Sequence, residues 1–156
     1  MSLDPAFIAD CPYLEEGILI DEILSVDTED SRVVARLPTH ADLPLTRTQR
    51  VHPTKHPRHV NGGLMVHLTG IVAFAHAYYV LDLRHSAGWT GYGAKIETAR
   101  YKSMATVDAP IEIDCKALHI RRGAERVMVK YAFEFRQNEK TVYSSEQTAW
   151  FVRVLD

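Results

Sequence analysis

The stretch HVNGGLMVHLTGIVAFAHAYYVL, residues 59–81, carries the reading of the fold. Asn61 is a good helix N-cap, and Gly62 and Gly63 let the backbone turn sharply into the next segment. The spacing predicts a long helix over about 62–84. It is apolar on nearly every face: Leu64, Met65, Val66, Leu68, Ile71, Val72, Ala73, Phe74, Ala75, Ala77, Val80 and Leu81. A helix apolar all round is a buried helix. In a chain of 156 residues, the remaining segments must wrap it.

Those segments read as strands. Upstream, GILIDEILSVD (17–27) and SRVVARL (31–37) alternate apolar and polar residues across a turn-like Thr28-Glu29-Asp30, and predict a hairpin. Downstream, strands are predicted over about 93–103, 110–121, 126–137 and 140–155. The alternation is clearest in Val127, Val129, Tyr131, Phe133 and Phe135. Gly123 marks one hairpin turn and Asn138-Glu139 the next. Two strands, one buried helix and four meander strands make an α+β domain, a helix against one antiparallel sheet. The first dozen residues, with Pro5 and Pro12, are expected to wander or form a short helix. Residues 38–60 carry Pro38, Pro44, Pro53 and Pro57, which exclude a regular helix, and are expected to form a long surface loop.

Composition bounds the function classes. A net charge of −2 gives no bias toward nucleic acid or an anionic membrane. Cys11 and Cys115 form no paired motif, so neither a disulfide framework nor a thiolate metal site is expected. The first ten residues lack the apolar core of a signal peptide, and a cytoplasmic location is the default. The apolar run over 71–81 is about half the roughly 20 residues that a membrane span needs.

The order of elements resembles the hotdog superfamily, a curved sheet wrapped round a long central helix. The resemblance covers about residues 15–155. Its specific echoes are HVNGGLMVHL (59–68) at the helix start and ARYKSMATVDAPIEIDCKA (99–117) after it. In the second, Arg100-Tyr101 stands where the family has an Arg-aromatic pair before a turn. The family's turn carries Gly-Asp, whereas this one reads Val107-Asp108-Ala109. His59-Val60-Asn61 is similar to the H-x-N of the type III fatty acyl-CoA thioesterase (FcoT-like) branch. The resemblance implies an acyl-thioester hydrolase acting on acyl-CoA or on acyl groups held by acyl carrier protein. Alternatively it implies a 3-hydroxyacyl thioester dehydratase, or a binding module without catalysis. It also implies a homodimer or larger homo-oligomer. Coenzyme A or phosphopantetheine enters as part of the substrate, with no separate cofactor.

Thioester hydrolysis needs a polarised carbonyl and an activated water. Bare amides at a helix N-terminus suit the oxyanion, so the Gly63 or Leu64 N–H is the expected donor, with Gly62 opening the approach. The alternative is that the glycines only permit the turn. The family's usual carboxylate base is missing, because no Asp or Glu stands between Asp42 and Asp82 and position 68 is Leu. Water would then be positioned by Asn61 or a histidine. Asn cannot take its proton, while His, titrating near about pH 6.5, can. His59 is the candidate base, weighed against a surface role, and in the dehydratase reading His56 or His59 would serve. His67 faces the acyl tunnel, a partner subunit or the core. His76, about 900° further round by helix geometry, points to the opposite face and is read as structural. His52, His56 and His59 lack the spacing of a metal set, and no metal is expected. Arg47, Arg50, Lys55 and Arg58, joined by Arg100 and Lys102, could form an electropositive mouth for phosphate or could be solvated.

Overall fold

The computed structural model describes residues 2–156. Two short helices, α1 (Pro5–Asp10) and α2 (Glu15–Ile18), precede the hairpin β1 (Glu22–Asp27) and β2 (Arg32–Leu37). Helix α3 (Gly62–Tyr79) is followed by a one-turn 3-10 helix (His85–Ala87). Four strands then complete the chain: β3 (Trp89–Tyr101), β4 (Ile111–Arg122), β5 (Arg126–Gln137) and β6 (Lys140–Arg153). The six strands form one antiparallel sheet in the order β1-β2-β4-β5-β6-β3. The expected α+β architecture, a sheet wrapped round a central helix, is the one observed.

Alternation builds the core. Val127, Val129, Tyr131, Phe133 and Phe135 of β5 turn one way and are buried, beside Ile111, Ile113 and Cys115 of β4 and Tyr143 of β6. Against this face lie Leu64, Leu68, Ile71, Val72 and Ala75 of α3, all buried. The β5–β6 turn has Asn138 at φ 51° and Glu139 at φ 66°. Two successive left-handed residues give the twist that a tight hairpin needs.

Several boundaries differ from expectation. α3 stops at Tyr79, because Asp82 takes φ 55° and the amides of Val80 and Leu81 both fall back on the His76 carbonyl. Short polar Asp tolerates that left-handed turn, and the apolar pattern runs on only because Leu81 and Leu83 are buried outside the helix. The first strand starts at Glu22, since residues 15–18 are helical and Leu19 is left-handed at φ 62°. β3 begins at Trp89 and ends at Tyr101, leaving Lys102 and Ser103 beyond the strand. The 38–60 loop is not confined to the surface: Leu43, Thr46 and Val60 are buried, and the Val60 amide donates to the Ala105 carbonyl at 2.8 Å.

Candidate functional site

The start of α3 is held by its cap. Asn61 Oδ1 accepts from the Gly63 N–H at 2.8 Å, and the Asn61 carbonyl accepts from Leu64 at 3.1 Å and Met65 at 3.3 Å. The amides expected to face a substrate, those of Gly63 and Leu64, are therefore both engaged by Asn61. The free donor shifts one residue back. The Gly62 N–H makes no hydrogen bond among the described residues and stands at the positive end of the helix.

On the other side of the same turn lies Tyr101, at the end of β3. Its hydroxyl donates to the Gly62 carbonyl at 2.9 Å. The peptide unit joining Gly62 to Gly63 is thus held at both ends, by Tyr101 on its oxygen and by Asn61 on its N–H. A Cβ on Gly62 would stand 2.8 Å from Tyr101 Cε1. A side chain at 62 would therefore have to displace the Tyr101 ring. Tyr101 stacks on Tyr143 at 4.9 Å between ring centres, and Tyr143 packs edge-on against Phe135 at 5.1 Å.

A cavity of about 330 Å³ opens here, lined by His59, Val60, Gly62, Met65, Tyr101, Lys102, Ser103, Met104 and Ala105. It contains no carboxylate. His59 Nδ1 lies 2.7 Å from the Pro57 carbonyl. A carbonyl only accepts, so in the neutral ring Nδ1 carries the proton and Nε2 keeps its lone pair. The His59 backbone is locked by Gln49, whose amide nitrogen donates to the His59 carbonyl at 3.0 Å and whose oxygen accepts its N–H at 3.1 Å. The His56 ring packs edge-on against the His59 ring at 5.0 Å.

The remaining expected residues divide. Asn61 is adjacent to the cavity but outside its lining, and its carbonyl oxygen is committed to the cap. His67 is turned away: Nε2–H donates to the Gly17 carbonyl at 2.8 Å and the ring packs on Tyr13, tying the α2 segment to α3. Arg58 donates to the Thr46 carbonyl at 2.8 Å, a loop clamp. Lys55 lies in a turn where His52 Nδ1 accepts its amide at 2.9 Å. Neither lines the cavity. Arg100 lies on the opposite face of the sheet, in an open groove with Asp114, Lys116, Glu134 and Glu146, while Lys102 borders both that groove and the cavity. Tyr101, Met65 and Met104 were missed by sequence reasoning. Tyr101 pairs with Tyr143 across β3 and β6, a register that only the folded sheet shows.

His76 is fully buried, with Nδ1 2.9 Å from the Tyr131 hydroxyl and Nε2 2.9 Å from Ser31 Oγ. Tyr131 has no other hydroxyl partner among the described residues. The arrangement that wastes no buried donor has Tyr131 O–H donating to Nδ1 and Nε2–H donating to Ser31. In that tautomer His76 cannot take a proton from Ser31, so the array is structural. Burial pushes its pKa down to about 4.

Among the described residues, no group of three or more His, Cys, Asp or Glu is placed to hold a metal ion. No described helix is long and apolar enough to cross a membrane. Cys11 and Cys115 are both free thiols.

No family model matches the chain, and no curated protein matches it in sequence. Solved structures do match in shape. A dehydratase heterocomplex of Xenorhabdus doucetiae aligns with TM-score 0.68 and 11% identity, over 99% of this chain and 94% of that one. A mutant thioesterase of Pseudomonas aeruginosa aligns with TM-score 0.63 and 16% identity, over 95% and 92%. A thioesterase of Haemophilus influenzae aligns with TM-score 0.62 and 17% identity, over 99% and 94%. At these identities the likeness establishes the hotdog fold.

Proposed function

We propose that this hotdog-fold chain binds acyl thioesters at the start of α3 and hydrolyses them there. The observation that carries the reading is one cavity that brings together an unpartnered Gly62 amide and a His59 whose Nε2 bears the lone pair. The thioester carbonyl oxygen accepts from the Gly62 N–H, which is strengthened by the helix dipole. His59 Nε2 takes a proton from water as its oxygen bonds to the carbonyl carbon, giving a tetrahedral oxyanion. The C–S bond then breaks, and the imidazolium returns the proton to the departing thiolate. The products are a carboxylic acid and a free thiol, and His59 ends neutral as it began. Asn61 contributes by fixing the turn that leaves the Gly62 N–H free.

Lys102 at the mouth suits the phosphates of coenzyme A or of a carrier protein's phosphopantetheine arm. β3 leaves one edge unpaired and exposes Tyr92, Ile96 and Tyr101. An exposed apolar edge strand is a template for pairing, and a second copy joined there would border the cavity. The reading is tested by following thiol release from acyl-CoA and acyl-carrier substrates over a range of chain lengths, for wild type and Asn61→Ala. Release that Asn61→Ala weakens supports it. A second reading, dehydration of 3-hydroxyacyl thioesters, is favoured by the fold likeness to a dehydratase heterocomplex and by His56 beside His59. Enoyl absorbance without thiol release would select it.

A further inference from the structure

Tyr101 is 56% exposed, yet it is pinned by its hydroxyl to the Gly62 carbonyl at 2.9 Å and stacked on Tyr143. Its ring forms the wall of the cavity on the β3 side. Behind that wall, Tyr143 has no solvent exposure, and its hydroxyl has no hydrogen-bond partner. A buried hydroxyl ordinarily finds a partner, and the Tyr101 ring covers this one without supplying it. The apolar part of the lining is adaptable: Met65 and Met104 flank the site, and methionine fills irregular gaps. At about 330 Å³ the cavity is at the small end of ligand pockets, which run from roughly 300 to 1,000 Å³.

We propose that Tyr101 is the specificity-determining residue of this site, a fixed wall that confines it to compact acyl groups, short-chain or aromatic. The inference rests on the acyl-thioester reading. Removing the ring takes away the β3-side wall, enlarges the cavity by the volume of that ring and admits longer chains. Removing only the hydroxyl leaves the wall standing on Tyr143. The role is one of shape, separate from the chemistry assigned to His59 and Gly62.

The test compares wild type, Tyr101→Phe and Tyr101→Ala on butyryl-, benzoyl-, octanoyl- and lauroyl-CoA. Thiol release gives kcat/KM, and calorimetry gives the binding of the matching non-hydrolysable thioethers. Thermal unfolding checks that each variant is folded. Wild type and Tyr101→Phe are expected to prefer butyryl or benzoyl groups. Tyr101→Ala is expected to move the lauroyl-to-butyryl ratio by about tenfold or more, the size of effect that a few methylenes in a pocket produce. If Tyr101→Ala does not fold, Tyr101→Leu makes the same comparison with a smaller opening. The same profile in wild type and the truncated variant, or a wild type that already prefers lauroyl groups, overturns the inference and leaves the hydrolase reading standing. Neither turnover nor binding of any acyl group overturns both.

Discussion

The Tyr101 hydroxyl donates to the Gly62 carbonyl at 2.9 Å, and the ring of Tyr101 occupies the space that a side chain at 62 would need. One contact thereby joins the end of β3 to the first turn of the central helix, and the cavity lies between them. Gly62→Ala is expected to push Tyr101 off the helix and to cost about 1 kcal/mol, the size of the lost hydrogen bond, since the half-exposed ring can swing aside. Gly62→Ala combined with Tyr101→Ala is expected to lose less than the two single changes added together. Denaturant unfolding of the four proteins measures the coupling, and strict additivity would show that the contact carries no energy.

Burial of His76 ties stability to pH. Its pKa is lowered in the fold to about 4, against an ordinary value of 6.5. Between these values the unfolded chain binds a proton that the native chain does not, so stability falls as pH drops from about 6.5 to 4 and levels off below. The shift corresponds to roughly 3 kcal/mol at most. Urea midpoints across this range should decline in wild type and decline less in His76→Gln. Equal slopes would assign the acid sensitivity to other groups.

Tyr131→Phe removes the donor that satisfies His76 Nδ1 at 2.9 Å. Leaving that nitrogen bare in the core is expected to cost about 1–3 kcal/mol. The loss should appear in the unfolding free energy without a change in thioester specificity, since the His76 array is away from the α3 start. A shift in acyl preference would contradict the structural assignment.

Tyr143→Phe deletes a buried hydroxyl with no partner. The variant is expected to be as stable as wild type or more stable by about 1 kcal/mol. Thermal unfolding reads this directly, and a clear loss of stability would mean that the hydroxyl is satisfied in solution.

The fold was legible because its two periods are clean. The all-round apolar helix had to be enclosed, and β5 alternates without a break from Val127 to Phe135. The helix end was not legible, since burial of Leu81 and Leu83 continues the apolar pattern past the left-handed Asp82. At the site, the glycines and His59 could be read from their place before the helix. Which amide is free could not, because that depends on Asn61 Oδ1 reaching Gly63 and not Gly62. Tyr101 and Arg100 were harder still. Irregularities in the β3–β6 register between Gly93 and Lys95 and between Ile96 and Thr98 change which face each residue takes. Simple alternation puts the neighbours Arg100 and Tyr101 on opposite faces but could not show that Tyr101 is the one that meets the helix.

The assignment of the α3 start as a thioester-cleaving site is tested most directly by the rate of thiol release from short-chain acyl-CoA in wild type and in His59→Ala, with folding of both verified. Turnover in wild type that falls by about 10²–10⁴ in His59→Ala is the predicted result, the usual contribution of a general base. Equal turnover in the two proteins, or no thiol release from wild type with any acyl-CoA, would contradict it.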